Sequence, residues 1–183
     1  MRILVTVILL AVVIALRYQT GNESQMQMIQ VGDRAPSFSA TAVGGEYGAG
    51  RSVSLDDFKG RILVLYFYPK DDTPGCTVQA CALRDSWQQF EHAAAVFGVS
   101  ADPAASHQEF IDKFNLPFPL LSDDSKKMAE AYGVWVEKSM YGKKYMGIER
   151  TTFVIDKEQK ISAILRKVKP DEHAGQLFDL LGT

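Results

Sequence analysis

Histidine and cysteine are scarce in this 183-residue chain, which has three of the first and two of the second. His92, His107 and His173 lack metal-ligand spacing with one another or with the cysteines, so no zinc site is indicated and the three read as solvated helix residues. An excess of positive charge is also missing. Lys and Arg number 20 against 22 Asp and Glu, for a net charge of −2, and no basic run or basic patch with interleaved aromatics occurs; this argues against nucleic acid as a partner. The longest N-terminal apolar run, Ile3 to Leu16 between Arg2 and Arg17, covers 14 residues. That falls short of the ~20 residues of a spanning helix and is within the range of a signal-peptide core. The glycine-rich stretch Gly44 to Gly50 lacks the Gly-Lys-Ser/Thr ending of a phosphate loop and the strand before it, and reads as a mobile hairpin loop. Lys126-Lys127 and Lys143-Lys144 read as surface charge.

The two cysteines are placed close together where one kind of pattern gives way to another. Ile62 to Tyr68 is an apolar run of β-branched and aromatic residues, as in a central strand covered on both faces. Pro74 and Gly75 punctuate its end, so Cys76 falls in the first turn of the following helix. Unpaired backbone N–H groups and the helix dipole there favour a thiolate, the reactive form of cysteine. Cys81 follows five residues later. On a continuous helix that spacing sets the two Cα atoms about 8.6 Å apart and roughly 140° apart in direction, beyond the ~7 Å within which a disulfide closes without backbone movement. Either the pair never joins or the helix opens. Two cysteines buried as small hydrophobes remain the alternative.

The run Pro69-x-x-x-Thr73-x-x-Cys76 is similar to the active-site motif of the peroxiredoxins. The second cysteine five residues on resembles the bacterioferritin comigratory protein, or Q-type, atypical two-cysteine branch. Further blocks match in order: Thr77, Ala80-Cys81 and Arg84-Asp85, then Tyr132 to Trp135, Glu137 to Gly142, and Gly147 to Asp156. The resemblance covers about residues 29 to 183. Gln79 departs from it, standing where the family usually has Glu, and Val136 stands where Gly is usual.

This resemblance implies a thiol-dependent peroxidase acting on hydrogen peroxide and organic hydroperoxides, and the residues present suit that chemistry. Attack of a thiolate on an O–O bond needs the sulfur held as thiolate, the peroxide oriented, and the departing oxygen's charge stabilised. Arg150, permanently cationic, can serve the thiolate and a peroxide oxygen. The Thr73 hydroxyl can accept from the peroxide or donate to the sulfur, and Pro69 can wall off water. No metal, flavin or haem is required. Only the resemblance brings Arg150 to Cys76, because nothing in the spacing does; taken alone, Arg150 reads as a solvated charge and Thr73 as a turn or cap residue.

Attack would leave Cys76 as a sulfenic acid, which condenses with a thiol. Cys81 is the only other thiol in the chain. The first turn or two of the helix would unwind on oxidation and reform on reduction. The resemblance implies the same arrangement, with electrons returned by thioredoxin or a similar dithiol protein, and it leans to a monomer. Two rival readings stand beside it: a thiol-disulfide oxidoreductase, which would call for Cys-x-x-Cys, and a redox sensor or holdase in which the bond switches shape.

Along the chain strand and helix patterns alternate. The strand Ile62 to Tyr68 precedes a helix from Cys76 to Phe90 with Val78, Cys81 or Ala82, Trp87 and Phe90 as its apolar positions. Ala94 to Val99 reads as a strand, and Asp102-Pro103 as the N-cap and first position of a helix with Phe110, Ile111 and Phe114 inward. Phe118 to Leu121 is a short strand, Asp123 or Asp124 caps a helix ended by Gly133, and Thr151 to Ile155 and Lys160 to Leu165 form a hairpin. Asp171 to Leu181 is a final amphipathic helix. A βαβ unit followed by ββα is an α/β, thioredoxin-like fold: a central mixed sheet flanked by helices, here with an N-terminal hairpin and an inserted helix.

Residues 29 to 183 form one domain of about 155 residues, enough for a single core. Residues 17 to 28, polar and rich in Gln, read as a tether, and residues 1 to 16 as an uncleaved signal anchor, with a cleaved signal peptide and a buried helix as lesser readings. Anchoring through residues 3 to 16 would place the catalytic domain in a periplasm. A cytoplasmic enzyme is the alternative.

Overall fold

In the computed structural model, which describes residues 28–182, β1 (Ser39–Val43) and β2 (Arg51–Ser54) form the N-terminal hairpin. There follow β3 (Leu63–Phe67), α1 (Pro74–Asp85), a single turn α2 (Trp87–Phe90), β4 (Ala95–Ser100), α3 (Ala104–Phe114), β5 (Leu120–Ser122) and α4 (Lys127–Ala131). A second hairpin, β6 (Trp135–Met140) and β7 (Lys143–Ile148), leads into β8 (Thr151–Ile155), β9 (Ile161–Arg166) and α5 (His173–Leu181). The anchor and most of the tether expected from the sequence lie outside the described residues. Among the described residues no helix is long and apolar enough to cross a membrane.

Seven strands make one sheet in the order β2-β1-β5-β4-β3-β8-β9. It is mixed, as expected: β3 is parallel to β4 and antiparallel to β8. All five residues of β3 are buried, and their alternation divides the core in two. Leu63, Leu65 and Phe67 point into a cluster with Phe97, Phe153, Met128 and Tyr132, under α4. Val64, Tyr66 and Tyr68 point the other way, onto Cys76, Ala80 and Leu83 of α1, Phe110 and Ile111 of α3 and Leu177 of α5. Each large apolar side chain fully buried in this way contributes ~1.5–3 kcal/mol. The helix that carries both cysteines is therefore seated on the sheet rather than fringing it.

Several local expectations are corrected. The helix from Cys76 to Phe90 breaks at Ser86, whose φ of −105° and ψ of 10° separate α1 from α2. The buried stripe of α1 is Cys76, Gln79, Ala80 and Leu83, spaced three and four apart, whereas Val78 is 49% exposed. Asp102 does not cap α3; its carboxylate accepts from the Asp71 N–H and the Ser100 hydroxyl instead. His107 and His173 are not solvated but fully buried. The segment from Trp135 to Ile148 is a hairpin apart from the main sheet.

Gly98 of β4 lies opposite Tyr66 of β3. A Cβ at this position would come within 2.6 Å of the Tyr66 ring and of the Leu120 side chain, so the missing side chain is the space into which both lean. Gly98→Ala is expected to destabilise the fold by about 1–3 kcal/mol through overpacking. Urea denaturation reads the change, and an unaltered midpoint would show that the face over β4 has room to spare.

Candidate active site

The strand β3 ends at Phe67, and residues Tyr68 to Thr73 carry the chain to α1. This connection is pinned from inside. The Asp71 carboxylate accepts from Tyr68 Oη at 2.6 Å, Ser106 Oγ at 2.7 Å and His107 Nδ1 at 2.8 Å, while its N–H donates to Asp102. His107 Nε2 faces the Leu121 carbonyl at 3.2 Å. Both ring nitrogens of His107 therefore lie within hydrogen-bond distance of an oxygen acceptor, and the ring is paired with a buried carboxylate. Burial alone would raise the Asp71 carboxyl, but hydrogen bonds and the charge of His107, together with the Tyr68 and Ser106 hydroxyls, outweigh it and hold Asp71 below the usual carboxylate range.

Thr73 then takes an extended conformation as the N-cap residue and Pro74 opens the helix, its fixed φ suited to that position. The Thr73 hydroxyl donates to the Lys70 carbonyl at 3.0 Å rather than capping α1, leaving its lone pairs free to accept. Pro69 is exposed on the rim of the connection. Cys76 sits in the first turn of α1, 3% exposed, and Cys81 is half-buried on the same unbroken helix; both are free thiols.

Arg150 comes to Cys76 through the sheet. Thr151, the first residue of β8, pairs with Phe67, the last of β3, so Arg150 stands level with the start of the connection to α1. Its Nη2 donates to Cys76 Sγ at 3.3 Å across 74 positions of sequence, and its Nη1 donates to Gln79 Oε1. Among the described residues no carboxylate pairs with Arg150. The guanidinium thus faces the sulfur with its charge uncompensated. A second cation lies close by: Lys138 of β6 donates to the Ile148 carbonyl, and its ammonium is held below the usual lysine range by burial and by Arg150.

Gln79 has both ends occupied, since its Nε2 lies 2.9 Å from His173 Nδ1 and His173 Nε2 lies 2.8 Å from Thr152 Oγ1. Because Oε1 accepts a hydrogen bond from Arg150, the amide nitrogen must donate to Nδ1, which fixes the His173 proton on Nε2. Burial, then the nearby Arg150 charge, push the His173 imidazole down to about 3, so it is neutral. The structure therefore brings Cys76 and Arg150 into contact, puts Thr73 and Pro69 in the connection before them, and leaves Cys81 a helical turn and more away. Sequence reasoning missed Gln79, His173 and Thr152 as members of the site. The spacing of Cys76 and Gln79 on one helix face could have signalled the first; nothing local signals the other two.

Residues 31–164 match the AhpC/TSA family. The chain belongs to that family. This peroxiredoxin is 52% identical over 154 residues to the putative peroxiredoxin bcp of Coxiella burnetii, covering 84% of this chain and 99% of that protein. It is 48% identical over 154 residues to the peroxiredoxin Bcp of Bacillus subtilis, covering 84% and 95%. Among solved structures, a PrxQ mutant of Xylella fastidiosa superposes with a TM-score of 0.76 at 34% identity, covering 84% of this chain and 96% of that one. The bacterioferritin comigratory protein of Xanthomonas campestris, whose structures are described in terms of alkyl peroxide reduction, gives 0.72 at 36% identity, covering 79% and 90%. The thioredoxin-like fold is that of these proteins, and this peroxiredoxin is a thiol-dependent peroxidase. A peroxide substrate and a thioredoxin-like reductant fit that family.

One expectation is overturned by the same comparisons. The membrane-anchored or secreted, periplasmic placement finds no support in the relatives, whose length is 95–99% taken up by the matched 154 residues.

Two buried groups make acid and mutation informative. Asp71→Asn weakens the hydrogen bonds that this buried carboxylate accepts from Tyr68, Ser106 and His107 and is expected to lower the unfolding free energy by about 1–3 kcal/mol; an unchanged midpoint in urea denaturation at neutral pH would mean the cluster does not hold the connection. His173 takes up a proton near pH 6.5 when unfolded but only at about 3 when folded. Its contribution to stability is complete above the unfolded value and is lost as pH falls from there toward 3. His173→Phe should flatten the acid decline in stability by up to ~1.4 kcal/mol per pH unit, and equal slopes for the two proteins would show that the ring is not kept neutral.

Proposed function

We propose that Cys76 is the peroxide-attacking thiolate, Arg150 and Thr73 its peroxide-orienting partners, Pro69 a shield against water, and Cys81 the resolving thiol. The contact between the Arg150 guanidinium and Cys76 Sγ is the observation that carries this reading. The thiolate attacks one peroxide oxygen, and the O–O bond breaks. Sulfur is oxidised to the sulfenic acid while the second oxygen leaves as alkoxide or hydroxide and takes a proton from water. Arg150 compensates the charge before and after transfer. The Thr73 hydroxyl, its proton committed to Lys70, accepts the hydroperoxide O–H.

Cys81 then attacks the sulfenic sulfur, forming the disulfide and releasing water. Continuous helix geometry keeps the Cα atoms about 8.6 Å apart, so the start of α1 unwinds for this step. A thioredoxin-like dithiol protein restores both thiols by exchange, becoming oxidised itself. Organic as well as hydrogen peroxide are the substrates, in keeping with the alkyl peroxide reduction named for the Xanthomonas campestris neighbour. Residues 29 to 183 carry the cycle, as a monomer.

Trp87 packs against Phe118 with ring centroids 5.4 Å apart, just beyond the end of α1, and should report its opening. Stopped-flow tryptophan fluorescence of the reduced protein is expected to show a fast peroxide-dependent phase, absent in Cys76→Ser, and a slower phase absent in Cys81→Ser. A Cys81→Ser variant that cycles normally with thioredoxin alone would remove Cys81 from its role. Wild-type reaction no faster than a free thiol would remove Cys76 from its own.

A further inference from the structure

We propose that His173 is a positioning residue for the peroxide site, holding Arg150 against Cys76 through Gln79. The proposal builds on the roles given above to Cys76 and Arg150. Arg150 has a long side chain with many rotamers, and a guanidinium that reaches sulfur only some of the time would serve the thiolate only some of the time. Among the described residues, the side-chain acceptor that restrains it besides Cys76 is Gln79 Oε1. A primary amide can turn over, and turned over it would present NH2 to a cation. Its orientation therefore depends on what the other end of the amide meets.

That other end meets His173 Nδ1 at 2.9 Å. A neutral imidazole with its proton on Nε2 offers Nδ1 as an acceptor only, and such a nitrogen selects the amide orientation that turns Oε1 to Arg150. Thr152 Oγ1, 2.8 Å from Nε2, accepts from that tautomer, and the Arg150–Gln79 contact and the His173 contact each favour the same amide orientation. The ring is further fixed by Tyr66, whose ring centroid lies 5.6 Å away. Donation thus runs one way, from Arg150 to Gln79, from Gln79 to His173 and from His173 to Thr152. Three elements, α1, β8 and β3, converge on the first residue of α5. His173 and Gln79 are both fully buried, so these bonds do not compete with water. Thr152 belongs to the strand that delivers Arg150, and Gln79 to the helix that delivers Cys76. His173 ties the two together without touching the sulfur.

The full chain carrying Cys81→Ser isolates Cys76 as the only thiol. In that background His173→Phe is expected to slow reaction with hydrogen peroxide by about tenfold or more, as misplacement of a charge-stabilising group does, and to move the pH profile of Cys76 alkylation by iodoacetamide to higher pH. His173→Asn, whose Oδ1 can stand where Nδ1 does, should restore most of both. Once Gln79→Leu is present, His173→Phe should add little more, because the two act in series. Circular dichroism shows which variants are folded. A folded His173→Phe protein within about twofold of its parent in rate, with an unchanged alkylation profile, overturns the proposal. So does a Gln79→Leu protein of undiminished reactivity, which decides the matter even if His173→Phe does not fold. Failure of the parent itself to react with peroxide would instead overturn the role given to Cys76.

Discussion

A single cation facing a single sulfur is the constraint around which this molecule is arranged. Arg150 and Cys76 are 74 positions apart, and only the pairing of β3 with β8 makes them neighbours. One end of β3 delivers the cysteine through the connection to α1, and the matching end of β8 delivers the arginine. Each depends on the register of that pair: a slip of one residue would turn the alternating side chains of β3 over and carry Tyr66 and Tyr68 away from α1. The buried Asp71–His107 pair fixes the connection on the other side. Sheet register and this buried pair together turn a distant arginine into a contact.

The fold was legible from the sequence where periodicity was strong. The all-apolar run of β3, the hairpin around Asp156 to Gln159 and the amphipathic α5 each carry a clear pattern, and each stands within two residues of where the pattern puts it. The break at Ser86 was hidden because Trp87 and Phe90 continue a plausible helical spacing after the backbone has turned. Val78 misled for a related reason: an apolar residue was credited to the core, whereas the face toward the sheet was taken by Cys76 and Gln79. Polar residues in an apolar stripe are invisible to a hydrophobic count.

The site was legible in its motif and not in its support. The resemblance named Pro69, Thr73, Cys76, Cys81 and Arg150, while Gln79 entered only as a departure from the usual glutamate. Its buried position gives that departure a physical sense. A carboxylate would compensate the Arg150 charge and would call for a protonated partner at position 173, in a place where burial keeps the imidazole neutral. An amide accepts from the cation with one end and donates to a neutral ring with the other. His107 and His173 were read as solvated because no sequence pattern reports a partner 36 or 94 positions away. Buried histidines are decided by what surrounds them.

In the proposed cycle the same helix is well seated for attack and opens for resolution, and the position of Gln79 joins these demands. It lies between Cys76 and Cys81, so unwinding far enough to bring the two sulfurs together draws Gln79 away from Arg150 and His173. The arginine then loses its restraint and its sulfur at once. In that cycle, forming the disulfide would dismantle the arrangement proposed to serve the thiolate, and reduction would let α1 rewind onto Tyr66 and Tyr68 with the site rebuilt. The half-buried Cys81, set on another face of α1 from Cys76, is what allows the helix to be complete between turnovers. A closer spacing would make the bond easier and the opening unnecessary, and the burial of Cys76 would no longer be tied to its oxidation state.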